Sequence, residues 1–306
     1  MEKKDFIKSG IYGVIVGDCL GMPYEFSTPQ EMKENICTGM IGYGTYPYPK
    51  GTWTDDSSMT LATINSLIKN NGEVNYDSLM REFSRWLFGA EYTVDGITFD
   101  YGNATYQGIN NYVCGIDALD CGLKGEYDNG NGSLMRILPL AFTDADYETI
   151  MNVSGLTHAH DRSKIACVLY VEIARQIMKH YGGEYTFCDC VSEASDLIKD
   201  YFDGNKELGY FNRIFESDYS GGISGGRHVV TTLESAIASI KYNDDFESAL
   251  LCCVNLGGDT DTVSAVCGGL AGLYYGVENI PVEWLESIRR LDYVDELVDG
   301  LVGVVG

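Results

Sequence analysis

Positive charge is what this sequence most lacks: 21 Lys and Arg stand against 45 Asp and Glu in 306 residues, a formal net charge of −24. Nonspecific DNA or RNA binding runs on counterion release by clustered Lys and Arg, so the charge argues against a nucleic-acid partner. Proline is scarce, at 6, and no Pro/Ser-rich or Gly/Ser-rich stretch reads as a linker. One domain over residues 1–306 is therefore expected. Long apolar runs are also missing. Near the N-terminus the longest, Ile11 to Val16, is broken by Gly13 and stops at Asp18, too short and too polar for a signal peptide or a membrane span. Ten cysteines are present but no CxxC pair, and Cys188/Cys190 and Cys252/Cys253 lack zinc spacing. Reduced, mostly buried thiols in a cytoplasmic protein are expected, with a monomer as the default.

Hydrophobic residues make up 45% and charged residues 22%, the balance of a packed globular chain and not of an acidic disordered tail. Apolar residues recur at helical spacing in Leu79, Phe83, Trp86 and Leu87; in Ile165, Val168, Leu169, Ile173 and Ile177; in Leu233, Ala236, Ile237 and Ile240; and in Phe246, Ala249, Leu250, Cys253 and Val254. Gly182-Gly183 and Gly257-Gly258 stop two of these stripes. Period-two alternation is rare, which predicts an all-α fold. The segments after Gly10 (IYGVIVGDCLG) and after Asp261 (TVSAVCGGLAGLYYG) are rich in small residues, although glycine costs a helix about 1 kcal/mol relative to alanine. They are expected to be central helices whose backbones approach their neighbours closely. Long polar segments at 39–52, 89–105 and 121–133 are too long to be idle connections.

Two acidic clusters, Thr54-Asp55-Asp56 and Asp259-Thr260-Asp261-Thr262, each lie where a Gly-bearing loop meets an apolar-periodic helix. Helix capping is the plainer account, since Asp and Thr satisfy free N–H groups there. Capping needs one side chain, however, and each cluster offers two carboxylates, which repel unless a cation lies between them. Hard oxygen ligands of this kind suit Mg²⁺, Mn²⁺ or Ca²⁺. An EF-hand is excluded, because Ser264 falls where Gly is needed and Leu270 where Glu is needed. Asp259-Thr-Asp261-Thr-Val263 also matches the DxDx(T/V) pattern of haloacid-dehalogenase-type phosphatases, but a helix-like segment and Gly257-Gly258 precede it where a buried strand is required. A site joining both clusters would gather four carboxylates, enough for two divalent ions.

Other segments are less specific alone. Gly17-Asp18-Cys19-Leu20-Gly21-Met22-Pro23-Tyr24-Glu25 places two carboxylates in a loop after a tight helix. Gly130-Asn131-Gly132-Ser133-Leu134-Met135-Arg136 reads as a Gly-rich phosphate cradle or simply a turn. His158 and His160 lie in THAHD, which also reads as a helix start, and Asp100 and Asn103 lie in a loop.

Together GVIVGDCLGMPYE, GTWTDDSSMT, FDYGNAT, GNGSLMRILPLA, THAHDRS, GGRHVVTTLESA and NLGGDTDTVSAVCGGLAGLYYG occur in the order and approximate spacing of the ADP-ribosylglycohydrolase family, which the chain resembles from about residue 9 to 276. The resemblance implies an all-α orthogonal multi-helix bundle with a central cleft holding two Mg²⁺ or Mn²⁺ ions. By motif position the metal ligands would be Thr54, Asp55, Asp56, Asp259, Asp261 and Thr262. Glu25 or one of the metal-bound aspartates, Asp56 among them, would be the general base, and Asp100 would hold or protonate the departing group. Asp18, Asn103, Gly132, Ser133, Leu134, Met135 and His158 would bind substrate, with the 132–135 loop taking the diphosphate.

The implied reaction is hydrolysis at the ribose C1″ of an ADP-ribosylated protein or small molecule, through an oxocarbenium-like transition state. A carboxylate at Asp100 suits a guanidinium leaving group, which favours arginine linkage. The competing readings are a metal-dependent phosphatase or nucleotide hydrolase, and a non-catalytic, crystallin-like ADP-ribose binder. A diphosphate must also overcome the −24 field, so its binding must rest on local devices such as the N–H groups at 130–135.

Overall fold

The four apolar stripes and the two small-residue segments all become helices. The computed structural model describes residues 1–306 and contains α1 (Lys3–Gly21), α2 (Pro29–Glu34), α3 (Asp55–Lys69), α4 (Tyr76–Gly89), α5 (Asn103–Val113), α6 (Tyr147–Gly155), α7 (Asp161–His180), α8 (Phe187–Tyr201), α9 (Asn212–Phe215), α10 (Val229–Lys241), α11 (Phe246–Val254), α12 (Thr260–Tyr275), α13 (Val282–Leu285) and α14 (Leu291–Val305). There is no strand; the only β-type pairings are the isolated bridges Leu123–His158 and Gly130–His228. The fold is all-α, as the periodicity predicts, and one cluster of 80 buried apolar residues runs from Phe6 to Leu301.

The centre of the molecule is the crossing of α1 and α12, the two small-residue helices. A Cβ added to Gly13 would stand 2.8 Å from the Gly268 carbonyl carbon, and one on Gly17 would stand 2.5 Å from that of Ser264. Gly272 meets the Ser9 carbonyl in the same way. Only a hydrogen fits in these gaps. The helix-propensity cost of the glycines is thus offset by close backbone packing. Thr260 Oγ1 closes the crossing at its functional end, donating to the Gly21 carbonyl over 2.7 Å. The N-terminus of α12 is thereby fixed against the C-terminus of α1.

Helix α3 is brought to the same place by Asp18. Its carboxylate is fully buried in the last part of α1 and accepts the Thr54 N–H at 3.0 Å, the Ser57 N–H at 2.9 Å and the Ser57 hydroxyl at 2.5 Å. An acid from a different helix therefore caps the start of α3, satisfying donors that a helix N-terminus leaves free. This corrects the expectation of a loop at Asp18: the helix runs on to Gly21, and Asp18 holds two helices together without lining the cleft.

Candidate active site

The acidic ends of α3 and α12 meet. Thr54 Oγ1 donates to Asp56 Oδ2 at 3.1 Å, and Thr262 Oγ1, 206 residues further along the chain, donates to the same oxygen at 3.3 Å. Capping accounts for only part of this. Thr54 does accept the Asp56 N–H as an N-cap, but Asp259, at the N-cap of α12, makes no capping bond. Its Oδ2 instead accepts from Asn131 Nδ2 at 2.6 Å. Asp55, Asp56, Asp259 and Asp261 are all buried.

Two further carboxylates complete the cluster. Glu25, Asp100 and Asp261 bring ligand oxygens within 4.8 Å of one another. Glu25 is buried and held on both sides, accepting from Tyr46 Oη at 2.9 Å and Arg227 Nη2 at 2.8 Å. Asp100 sits in the loop before α5 at φ +56, left-handed backbone that Asp tolerates better than most residues. Burial, reinforced by neighbouring carboxylates, pushes Asp55, Asp56 and Asp261 well above the usual carboxylate range. Burial and then Asp100 push Glu25 up to about 8.

These residues fit a divalent cation. Asp56 Oδ1 is buried with no hydrogen-bond partner, an arrangement that protein side chains rarely leave uncompensated. Every donor nearby is a hard oxygen, and no His or Cys belongs to the cluster. That set suits Mg²⁺ or Mn²⁺ better than Zn²⁺.

Above the cluster opens a cleft of about 710 Å³. Glu25, Asp55, Asp100, Asn103, Gly132, Met135, His158, Asp259 and Thr262 all line it. Thr54, Asp56 and Asp261 are buried and do not line it. The 130–136 loop differs in part from expectation. The Leu134 and Met135 N–H groups both donate to the Asn131 carbonyl, at 2.8 and 3.2 Å, so they close a turn and are not available to phosphate. The Leu134 side chain is in the core and the Ser133 hydroxyl faces Ser154 and Cys167. The Asn131 N–H pairs toward the Arg227 carbonyl in the Gly130–His228 bridge, which leaves the N–H groups of Gly130, Gly132 and Ser133 without a protein acceptor. The cradle is shorter than the motif suggests.

Arg227 carries no role in the sequence reading beyond its place in GGRHVVTTLESA, yet it is the one Lys or Arg lining the cleft. It pairs with Glu25, approaches Asp259 at 3.6 Å and lies 4.4 Å over the Phe26 ring. Gly258, at φ +78, allows this: its N–H and carbonyl bond the Ser27 carbonyl and the Phe26 N–H, both at 2.7 Å, and a Cβ there would strike the Gly225 backbone. A lone Arg in a glycine-rich stretch gives no sequence signal for this contact, because the chain closes it over about two hundred residues.

An all-helical frame with a buried acidic cluster facing a Gly-rich turn defines a helical protein with a candidate cation-binding cleft. The chain belongs to the ADP-ribosylglycohydrolase family, whose model matches residues 1–306. It is 32% identical over 303 residues to the ADP-ribosyl-[dinitrogen reductase] glycohydrolase of Rhodospirillum rubrum, covering 96% of this chain and 94% of that protein. It is 29% identical over 305 residues to the ADP-ribosylarginine hydrolase Tri1 of Pseudomonas putida, covering 97% and 78%. Among solved structures, one titled an ADP-ribosylglycohydrolase-related protein complex superposes with a TM-score of 0.82 at 26% identity, over 100% of this chain and 99% of that one. No helix is long and apolar enough to cross a membrane.

Proposed function

We propose that this protein is a single-domain, divalent-cation-dependent hydrolase that cleaves the glycosidic bond at the ribose C1″ of ADP-ribosylated substrates, arginine-linked ones favoured, and releases ADP-ribose. It would act as a cytoplasmic monomer on an ADP-ribosylated protein or small molecule. The observation that carries this reading is the meeting of six carboxylates, Glu25, Asp55, Asp56, Asp100, Asp259 and Asp261, from separate segments at one cleft, with Asp56 Oδ1 left unpartnered.

Thr54, Asp55, Asp56, Asp259, Asp261 and Thr262 would hold two ions, Mg²⁺ or Mn²⁺. When bound, such ions orient substrate oxygens and make water a better nucleophile. Among the candidate bases, Glu25 lines the cleft and is not one of the proposed metal ligands, whereas Asp56 does not line it, which favours Glu25 as the group that takes the proton from water. Asp100, next to Glu25 on the wall, would pair with a departing guanidinium in bidentate fashion. Asn103, at the start of α5, would face the ribose. The free N–H groups of Gly130, Gly132 and Ser133 would take the diphosphate, and the negative groups would stabilise the cationic sugar.

Incubation with Mg²⁺ or Mn²⁺ and ADP-ribosyl-arginine tests the reading: intact ADP-ribose and free arginine are expected. AMP or inorganic phosphate would instead identify a nucleotide hydrolase, and binding without turnover across several ADP-ribosylated substrates a non-catalytic relative.

A further inference from the structure

Arg136 follows the Gly-rich turn and is fully buried, yet it pairs with no carboxylate. Its guanidinium lies 4.5 Å over the Phe83 ring, reaches the Val153 carbonyl only at 3.4 Å and leaves Nε without a partner. The one short bond it makes is from Nη2 to Thr157 Oγ1, at 2.8 Å. Thr157 Oγ1 in turn lies 2.8 Å from His158 Nδ1.

The direction of this chain follows from counting hydrogens. A guanidinium has donors only, so Thr157 Oγ1 accepts from Arg136. Thr157 is fully buried, its hydroxyl has one hydrogen, and the remaining polar neighbour is His158 Nδ1. Were Nδ1 the donor instead, the hydroxyl hydrogen would be buried without an acceptor. Nδ1 is therefore the acceptor, and the ring proton resides on Nε2. Nε2 has no partner within the protein and lies beside Gly130 and Gly132, where an added Cβ would stand 3.6 Å from Nε2 and 2.9 Å from Cε1 respectively. The same turn carries the unaccepted N–H groups of Gly130, Gly132 and Ser133.

We propose that Arg136 and Thr157 are positioning residues that lock His158 as its Nε2–H tautomer, so that the ring adds a neutral hydrogen-bond donor to the Gly130, Gly132 and Ser133 N–H groups facing an anionic oxygen of the ligand. Burial, with the Arg136 charge second, lowers His158 to about 3. The ring is thus neutral at physiological pH and acts as a donor without carrying a proton to the leaving group. Arg136, brought down by burial to about 10, remains charged and supplies a fixed positive field behind the turn in a chain that is otherwise strongly acidic.

The proposal rests on the ADP-ribose reading for the identity of its ligand, whereas the tautomer is measurable without one. Long-range ¹H–¹⁵N correlation spectra of the imidazole nitrogens, on the full chain at neutral pH, should show His158 as the neutral Nε2–H form. Thr157→Val should populate the Nδ1–H form and weaken ADP-ribose binding about tenfold by calorimetry, the scale of one lost hydrogen bond to a charged group. Thr157→Ser should restore both. Arg136→Lys should disturb the tautomer in the same direction; if that variant does not fold, the Thr157 pair decides alone. A wild-type ring protonated on Nδ1, or a Thr157→Val protein with unchanged tautomer and affinity, overturns the proposal. An Nε2–H ring in a protein with no affinity for ADP-ribose supports the tautomer assignment and overturns the functional reading with its ligand.

Discussion

Replacing Gly17 with Ala sets two opposing effects against each other inside α1. Alanine is the better helix former by about 1 kcal/mol, which would stabilise an unconstrained helix. Here the new methyl would lie 2.5 Å from the Ser264 carbonyl carbon and 2.8 Å from the Ala265 nitrogen, about an ångström inside ordinary contact. Both obstacles are backbone, so neither can rotate away and the two helices must part. Overpacking of this kind costs about 1–3 kcal/mol and occasionally more. A rigid backbone contact belongs at the upper end, leaving a net loss of about 2 kcal/mol after the propensity gain. For a chain of 306 residues that corresponds to a fall in Tm of roughly 3 °C.

Gly10→Ala in the same helix is the control, since its Cβ would meet only side-chain tips of Leu273, Phe142 and Leu138 at 3.2–3.3 Å. Its Tm should stay near wild type. The Gly17 variant should also show a smaller rise in Tm on adding Mn²⁺, because Asp18 and Thr262 lie beside the displaced contact. Thermal unfolding by circular dichroism, with and without Mn²⁺, reads both effects. Equal Tm values for the two variants would refute the backbone-contact account of the α1–α12 crossing.

Asp56→Asn should abolish the Mn²⁺-induced rise in Tm and lower turnover more than about a hundredfold, while leaving the chelator-treated protein at least as stable, because one buried charge is removed. In chelator, stability should fall as pH rises: Asp18, raised to about 6 by burial, and Glu25, near 8, hold protons more tightly folded than unfolded. Their contribution is present below about pH 4 and lost up to about pH 8. A Tm–pH series checks this, saturating Mg²⁺ should flatten the slope, and a Tm that rises over that window would contradict it. Asp100→Asn should bind ADP-ribosyl-arginine yet turn it over at least tenfold more slowly; wild-type turnover would remove Asp100 from the leaving-group site.

Much of this protein is legible in its residues taken one segment at a time. Helical periodicity is a local property, so the helices containing Leu79, Ile165, Leu233 and Phe246 follow directly, and the glycines of α1 and α12 mark a close crossing because only that repays their conformational cost. The paired acids are equally local: two carboxylates at a helix start exceed what capping needs. What the sequence could not order is which polar atoms are already satisfied. Asp18 looks like a cleft acid but is consumed by the N-terminus of α3, 36 residues away, and Leu134 and Met135 lose their N–H groups to a turn.

Conversely, Arg227 gains its place only when a segment about two hundred residues away closes on Glu25, and Thr157, the chain neighbour of His158, gains its role only when Arg136 reaches it from 21 residues earlier. Residue type and local spacing determine which groups can bind a cation or an anion. Only the tertiary structure decides which of them remain free to do so, because hydrogen-bond capacity and charge are used up by neighbours that the chain brings together from far along its length.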